Sequence, residues 1–123
     1  MGFFSATEVS VEDVQRDYAP ILIPGETVLA AFKTIRDVVF LTNHRLALAN
    51  VQGLTGRKVD VQSIPYRSIT RYSVETAGTF DLDADVKIWV SGNPAPIEIK
   101  IGRGSNTVGV QQILARGVFG PRS

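Results

Sequence analysis

Three aspartates stand at alternate positions, Asp81, Asp83 and Asp85. That spacing opens a calcium loop, whose cage is completed by a glycine at the sixth position and an acid at the twelfth. Here those positions are Val86 and Gly92, so the cage does not close. On a strand, alternate residues face one side about 6.8 Å apart, which makes the row a solvated face whose carboxylates meet Lys87, Lys100 or a neighbouring subunit. Basic side chains form a second set. Lys33, Arg36, Arg45, Arg57 and Lys58 flank the first strand turns and could gather around a phosphorylated head group. Asp37 and Asp60 stand among them, and scattered, neutralised surface charge is the preferred reading. His44 is the sole histidine, in an Asn43-His44 turn that suits a polar residue. No Gly-x-Ser-x-Gly elbow accompanies it, and nothing aligns it with a serine and an aspartate for nucleophilic work. Gly102-Arg103-Gly104 begins like a dinucleotide loop, but Thr107 occupies the third glycine position and the preceding strands read as antiparallel. The expectation is a protein without catalysis and without a cofactor.

Composition narrows the classes further. The 123 residues contain no Cys and one His, which excludes disulfides, thiolate nucleophiles, cysteine-held zinc and histidine-rich metal sites. Thirteen Lys plus Arg against twelve Asp plus Glu leave a net charge of +1, too little to steer the chain onto nucleic acid. The start, Met1 to Ala6, lacks the basic and apolar regions of a secretory signal. The longest apolar run, Val28 to Phe32, is five residues, far short of the roughly twenty that cross a bilayer. A single cytoplasmic domain spanning residues 1–123 is expected.

The elements that would position these residues follow from spacing. Ser10 precedes Val11-Glu12-Asp13 and supplies a capping hydroxyl with carboxylates in the first turn. Val11, Val14 and Tyr18 recur at helical spacing, and Pro20 stops the helix, giving a short helix over residues 10–19. From about 27 to 102, short apolar runs alternate with turn signals, the pattern of about seven antiparallel strands. In Phe80 to Val90 every even position is apolar and the odd ones are charged until Trp89. One face of that strand is therefore buried and the other wet. Trp89 breaks the wet face, either as part of an interface or because the first helix covers it. Val38-Val39-Phe40-Leu41 is apolar on both phases and reads as a strand covered on both sides. Ile69 and Tyr72 fall out of phase, which a bulge near Thr70 or Arg71 repairs. Val110, Ile113, Leu114 and Val118 define an amphipathic helix over residues 105–118, capped by Ser105 or Asn106.

Several of these segments form an ordered series: Gly25-Glu26, Arg36-Asp37, Thr42-Asn43-His44-Arg45-Leu46, Gly53-Leu54-Thr55-Gly56-Arg57-Lys58, Ile64-Pro65-Tyr66, and Glu75 through Asp83. The series resembles the bacterial pleckstrin-homology (PH) domain family over about Val9 to Leu114. The resemblance implies a mainly β, PH-like fold: two near-orthogonal antiparallel sheets with a C-terminal capping helix. It also implies self-assembly into ring-like homo-oligomers. Eukaryotic PH relatives often bind phosphoinositides through a basic pattern on the first hairpin. Lys33 and Arg36 are present here, but Val38 replaces the final arginine, so lipid binding is not carried over. The expected function is a self-assembling protein-interaction module whose interface includes Asp81, Asp83, Asp85, Lys87 and Trp89. The alternative is an anionic-ligand or membrane-surface binder using Lys33, Arg36, Arg45, Arg57 and Lys58.

Overall fold

The computed structural model describes residues 3–52, 58–76, 83–102 and 105–121. Its strands are β1 (Phe3–Glu8), β2 (Val28–Lys33), β3 (Val38–Thr42), β4 (Arg45–Gln52), β5 (Lys58–Pro65), β6 (Ile69–Thr76), β7 (Ala84–Val90) and β8 (Ile97–Ile101). Helix α1 spans Val11–Asp17 and α2 spans Thr107–Phe119. The seven strands expected between residues 27 and 102 are all present, and β1 is an eighth that the sequence reading did not assign. Its segment, Phe3-Phe4-Ser5-Ala6-Thr7-Glu8, lacks a clean alternation. Pairing on both sides makes it a strand: Phe3 to Ala6 lie parallel to β8, and Thr7 and Glu8 lie antiparallel to β2. The sheet order is β5-β4-β3-β2-β1-β8-β7-β6, so β1 is the seam joining two antiparallel halves into one curled sheet.

The expected helix over residues 10–19 ends at Asp17 and gives way to a single 3-10 turn, Ala19–Ile21, that contains Pro20. Proline has no N–H to donate and its ring blocks continuation. Ser10 Oγ accepts the Asp13 N–H at 3.2 Å, closing the start as expected. For α2 the cap is Asn106, whose Oδ1 accepts the Gly109 N–H at 2.9 Å. The β6 register shifts between Ile69 and Arg71, where the sequence calls for a bulge. A second shift lies between Val28 and Ala30 in β2.

Two apolar clusters explain the burial patterns. The larger fills the inside of the curled sheet with Phe32, Val39, Leu41, Leu46, Ile88 and Ile97 among others, and α2 closes it with Val110 and Leu114. The smaller lies on the other face of β2, β3 and β4, where Val14 of α1 meets Val28, Ala31, Phe40 and Ala47. Strand β3 is thus covered on both sides, Val39 and Leu41 inward and Phe40 under α1. Tyr18 adds a ring contact to Phe40, with centroids 4.9 Å apart. Because α1 lies on β2 to β4, it is not what covers Trp89.

Candidate functional site

The segments Gly25-Glu26 and Thr42-Asn43-His44-Arg45 meet in one polar network centred on the buried Glu26 and Thr42. Gly25 adopts φ +84°, and the Glu26 N–H donates to Ile23 O at 3.0 Å. With Pro24 before it, this is the Pro-Gly turn in which only glycine sits without strain. The turn drives the Glu26 side chain inward, where it is fully buried. Arg45 meets it with both arms of its fork, Nη2 to Oε1 at 2.7 Å and Nε to Oε2 at 2.8 Å. Thr42 Oγ1 donates to Oε2 at 2.7 Å and the Ile23 N–H to Oε1 at 3.1 Å. Thr42 Oγ1 in turn accepts the N–H groups of His44 and Arg45, both at 2.9 Å. Asn43 ties the two turns together, accepting the Thr27 N–H at 2.8 Å and donating to Gly25 O at 3.0 Å.

Burial alone would raise the Glu26 pKa. The hydrogen bonds from Arg45, Thr42 and the Ile23 N–H, with the Arg45 charge, outweigh it and hold the carboxyl below its ordinary value. Tyr66, buried under α2, donates its hydroxyl to Thr42 O at 2.6 Å, and burial with the nearby Glu26 charge pushes its pKa up. The Glu26 carboxylate, the Arg45 guanidinium, the Thr42 hydroxyl and the Asn43 amide are each committed to a neighbour. The network acts as a clasp that holds the β3–β4 turn against the entry to β2.

That clasp decides where the sequence-selected cations stand. Arg45 also donates to Ser63 Oγ and Ile21 O, so its half-buried guanidinium is engaged by neighbours within the chain. Lys58 pairs with Gln52 at the opposite end of β4 from Arg45, seven residues or about 23 Å away. Lys33 lines a groove between α1 and β5 that also holds Asp13 and Asp17. Arg36 is exposed in the β2–β3 turn. Arg57 lies outside the described residues. The set therefore does not converge with Arg45 on one ligand position. Among the described residues, no group of three or more His, Cys, Asp or Glu is placed to hold a metal ion, and no helix is long and apolar enough to cross a membrane.

The acidic strand is arranged as its alternation requires. Ala84, Val86 and Ile88 are buried, while Asp85, Lys87 and Trp89 face outward and are half-buried. Asp83, just before β7, is exposed, and Asp81 lies outside the described residues. Across the face, Asp85 pairs in register with Lys100, their charged atoms 3.7 Å apart, and Lys87 stands opposite Glu98. Trp89 stands opposite Arg71, whose guanidinium carbon lies 4.2 Å from the ring centroid. Trp89 belongs to neither apolar cluster. Arg71 is the residue that sequence reasoning passed over. Its place over the ring depends on the β6 bulge, which a local pattern shows only as a phase break.

An eight-stranded curled sheet closed by a C-terminal helix defines the class, a PH-like fold. The chain belongs to the bacterial PH domain family, whose model matches residues 2–118. It is similar to a DUF1696 family protein with a pleckstrin-homology domain from Shewanella loihica PV-4, with a TM-score of 0.80 and 40% identity, covering 94% of this chain and 99% of that one. A pleckstrin homology domain from Shewanella amazonensis SB2B matches with a TM-score of 0.68 and 43% identity over 94% and 93% of the two chains. In sequence, the chain is 46% identical to the uncharacterized protein YjqA of Bacillus subtilis strain 168, over 94% of this chain and 97% of that protein.

Proposed function

We propose that the protein is a non-catalytic self-assembly and protein-interaction module, forming a homo-oligomer through the outward face of β7. The observation that carries this reading is Trp89, a large aromatic outside both apolar clusters, half-buried beneath Arg71 on a sheet face bearing complementary charges. Aromatic residues and arginine are the side chains enriched at the centres of interfaces, where they combine area with a polar handle. The rows Asp85–Lys100 and Lys87–Glu98 offer charges of both signs, which suits contact between copies better than attraction to a polyanion. Light scattering after size exclusion at tens of micromolar tests this. A mass well above 13.4 kDa is expected for the native chain, and a smaller mass for Trp89→Ala. A native monomer would overturn the reading, and an unchanged Trp89→Ala mass would remove β7 from the contact.

A further inference from the structure

A groove of about 570 Å³ opens between α2 and the β3–β4 turn, and no residue of β7 lines it. Its floor is built by one contact. Gly117 lacks a side chain where a Cβ would stand 2.5 to 2.8 Å from the Tyr66 ring, so α2 rests directly on that ring. The Tyr66 hydroxyl reaches Thr42 O at 2.6 Å, and the ring therefore bridges the helix and the turn. A cation stands beside each partner of this contact: Arg67 follows Tyr66, Arg116 precedes Gly117, and both line the groove. His44 lines it from the turn, and Leu29 and Ile113 add apolar surface.

The charge is uncompensated. Among the described residues, no carboxylate lines the groove and neither arginine has one within 4 Å. Glu26, whose charge reaches Tyr66 from behind, is already met by Arg45. Two guanidinium groups gathered at one place repel each other until carboxylates join them, and the hydrogen bonds then formed are charge-assisted. Depth decides what carries those carboxylates. Tyr66 is 5% exposed and Ile113 half-buried, whereas His44 and both arginines are exposed, so this apolar surface is recessed behind the charges. A flat bilayer meets what protrudes, while a side chain on a polypeptide reaches into what is recessed. A small inorganic anion would leave the apolar floor unused, and beside Arg116 in the last turn of α2 it would face the negative end of the helix dipole.

We propose that the groove docks an extended acidic segment of a partner protein, in which two carboxylates meet Arg67 and Arg116 and an apolar side chain between them rests on Tyr66 and Ile113. The inference rests on the protein-interaction reading and not on self-assembly, since the groove and the β7 face share no residue. The contact weakens as salt rises, because its charges lie at the surface.

A labelled Gly-Ser-Glu-Leu-Glu-Ser-Gly peptide is the probe, with Gln and Lys in place of Glu as controls, titrated into the full chain by fluorescence anisotropy. Saturable binding with a Kd below about 1 mM is expected for the acidic peptide alone. His44 is the sole histidine, so its ring-proton NMR signal should move as the groove fills. Arg67→Glu and Arg116→Glu should each weaken binding about fivefold, the contribution of one strong exposed ion pair. Lys58→Glu, the same charge change at the far end of β5 from the groove, should leave it unchanged. All three side chains are exposed, and circular dichroism checks that the fold is kept. Equal binding of the Gln or Lys peptide, no saturation by about 1 mM, an unmoved His44 signal, or native affinity in both arginine variants overturns the assignment. Retention on phosphatidylglycerol vesicles through the same arginines, with no peptide binding, gives the groove to a membrane and overturns it too. Light scattering separates the two readings: a fall in native mass with either arginine variant assigns the groove to contact between copies and overturns the docking site, whereas a native monomer that binds the acidic peptide overturns self-assembly alone.

Discussion

Replacing Arg45 by alanine isolates the contribution of the clasp. The substitution removes two hydrogen bonds to a fully buried carboxylate, one to Ser63 Oγ and one to Ile21 O, while the Thr42 and Ile23 donors remain. Removing one partner of a buried ion pair costs about 3–5 kcal/mol because the other charge is left uncompensated. The Arg45 side chain is 20% exposed, so its departure admits water to Glu26, and the low end, about 3 kcal/mol, is expected at pH 7. For a chain of this length that is roughly a 10 °C fall in Tm. The pH dependence has a definite sign. In the native chain the Glu26 pKa is lowered below 4.5, so its contribution is present above that value and is lost as the pH falls through the folded value. In the variant, burial is less opposed and raises the folded pKa, so protonation relieves the variant. The stability gap between the two forms should therefore narrow as the pH falls from 7 to 4, first through the variant's raised folded value and then towards the native chain's lowered one. Urea denaturation at pH 7 and pH 4 measures it. A loss under about 0.5 kcal/mol at pH 7, the value of an exposed pair, or an equal gap at both pH values, would refute the argument.

Two further substitutions probe the packing of the helices. A Cβ on Gly117 would stand 2.5 to 2.8 Å from the Tyr66 ring, which is 5% exposed and tied to Thr42 O. Gly117→Ala should therefore lower Tm, the overpacking penalty of about 1–3 kcal/mol exceeding the gain of about 1 kcal/mol in helix propensity; a raised Tm would count against this packing. Val14→Ala removes two carbons from the small cluster and should lose about 1.5 kcal/mol. Hydrogen exchange should then quicken in α1 while α2 is unchanged, and equal quickening in both would show that the two clusters are not separate.

Much of the architecture was legible because it is written in local periodicity. The inward phase of β7, the doubly covered β3, the Ser10 cap and the apolar stripe of α2 each depend on residues within one element. Strand β1 was not legible, since Phe3 to Glu8 carry no alternation and become a strand only by joining β8 to β2. Arg45 looked like one of several surface cations. Its partner lies 19 residues earlier, and nothing in the spacing shows that a Pro-Gly turn aims Glu26 beneath it.

What the sequence determined by itself was the phase of each surface, with Asp85, Lys87 and Trp89 outward on β7, and the near balance of charge over the chain. What only the tertiary structure decided was which charges cancel. Arg45 is neutralised by the buried Glu26, and Asp85 is paired with Lys100. Arg67 and Arg116, 49 residues apart in the chain, share one groove, while Glu75 and Asp83 stand together at the far end of β6. Periodicity acts along the chain, but charge compensation acts through space over a few ångströms, and that proximity exists only once the sheet has curled.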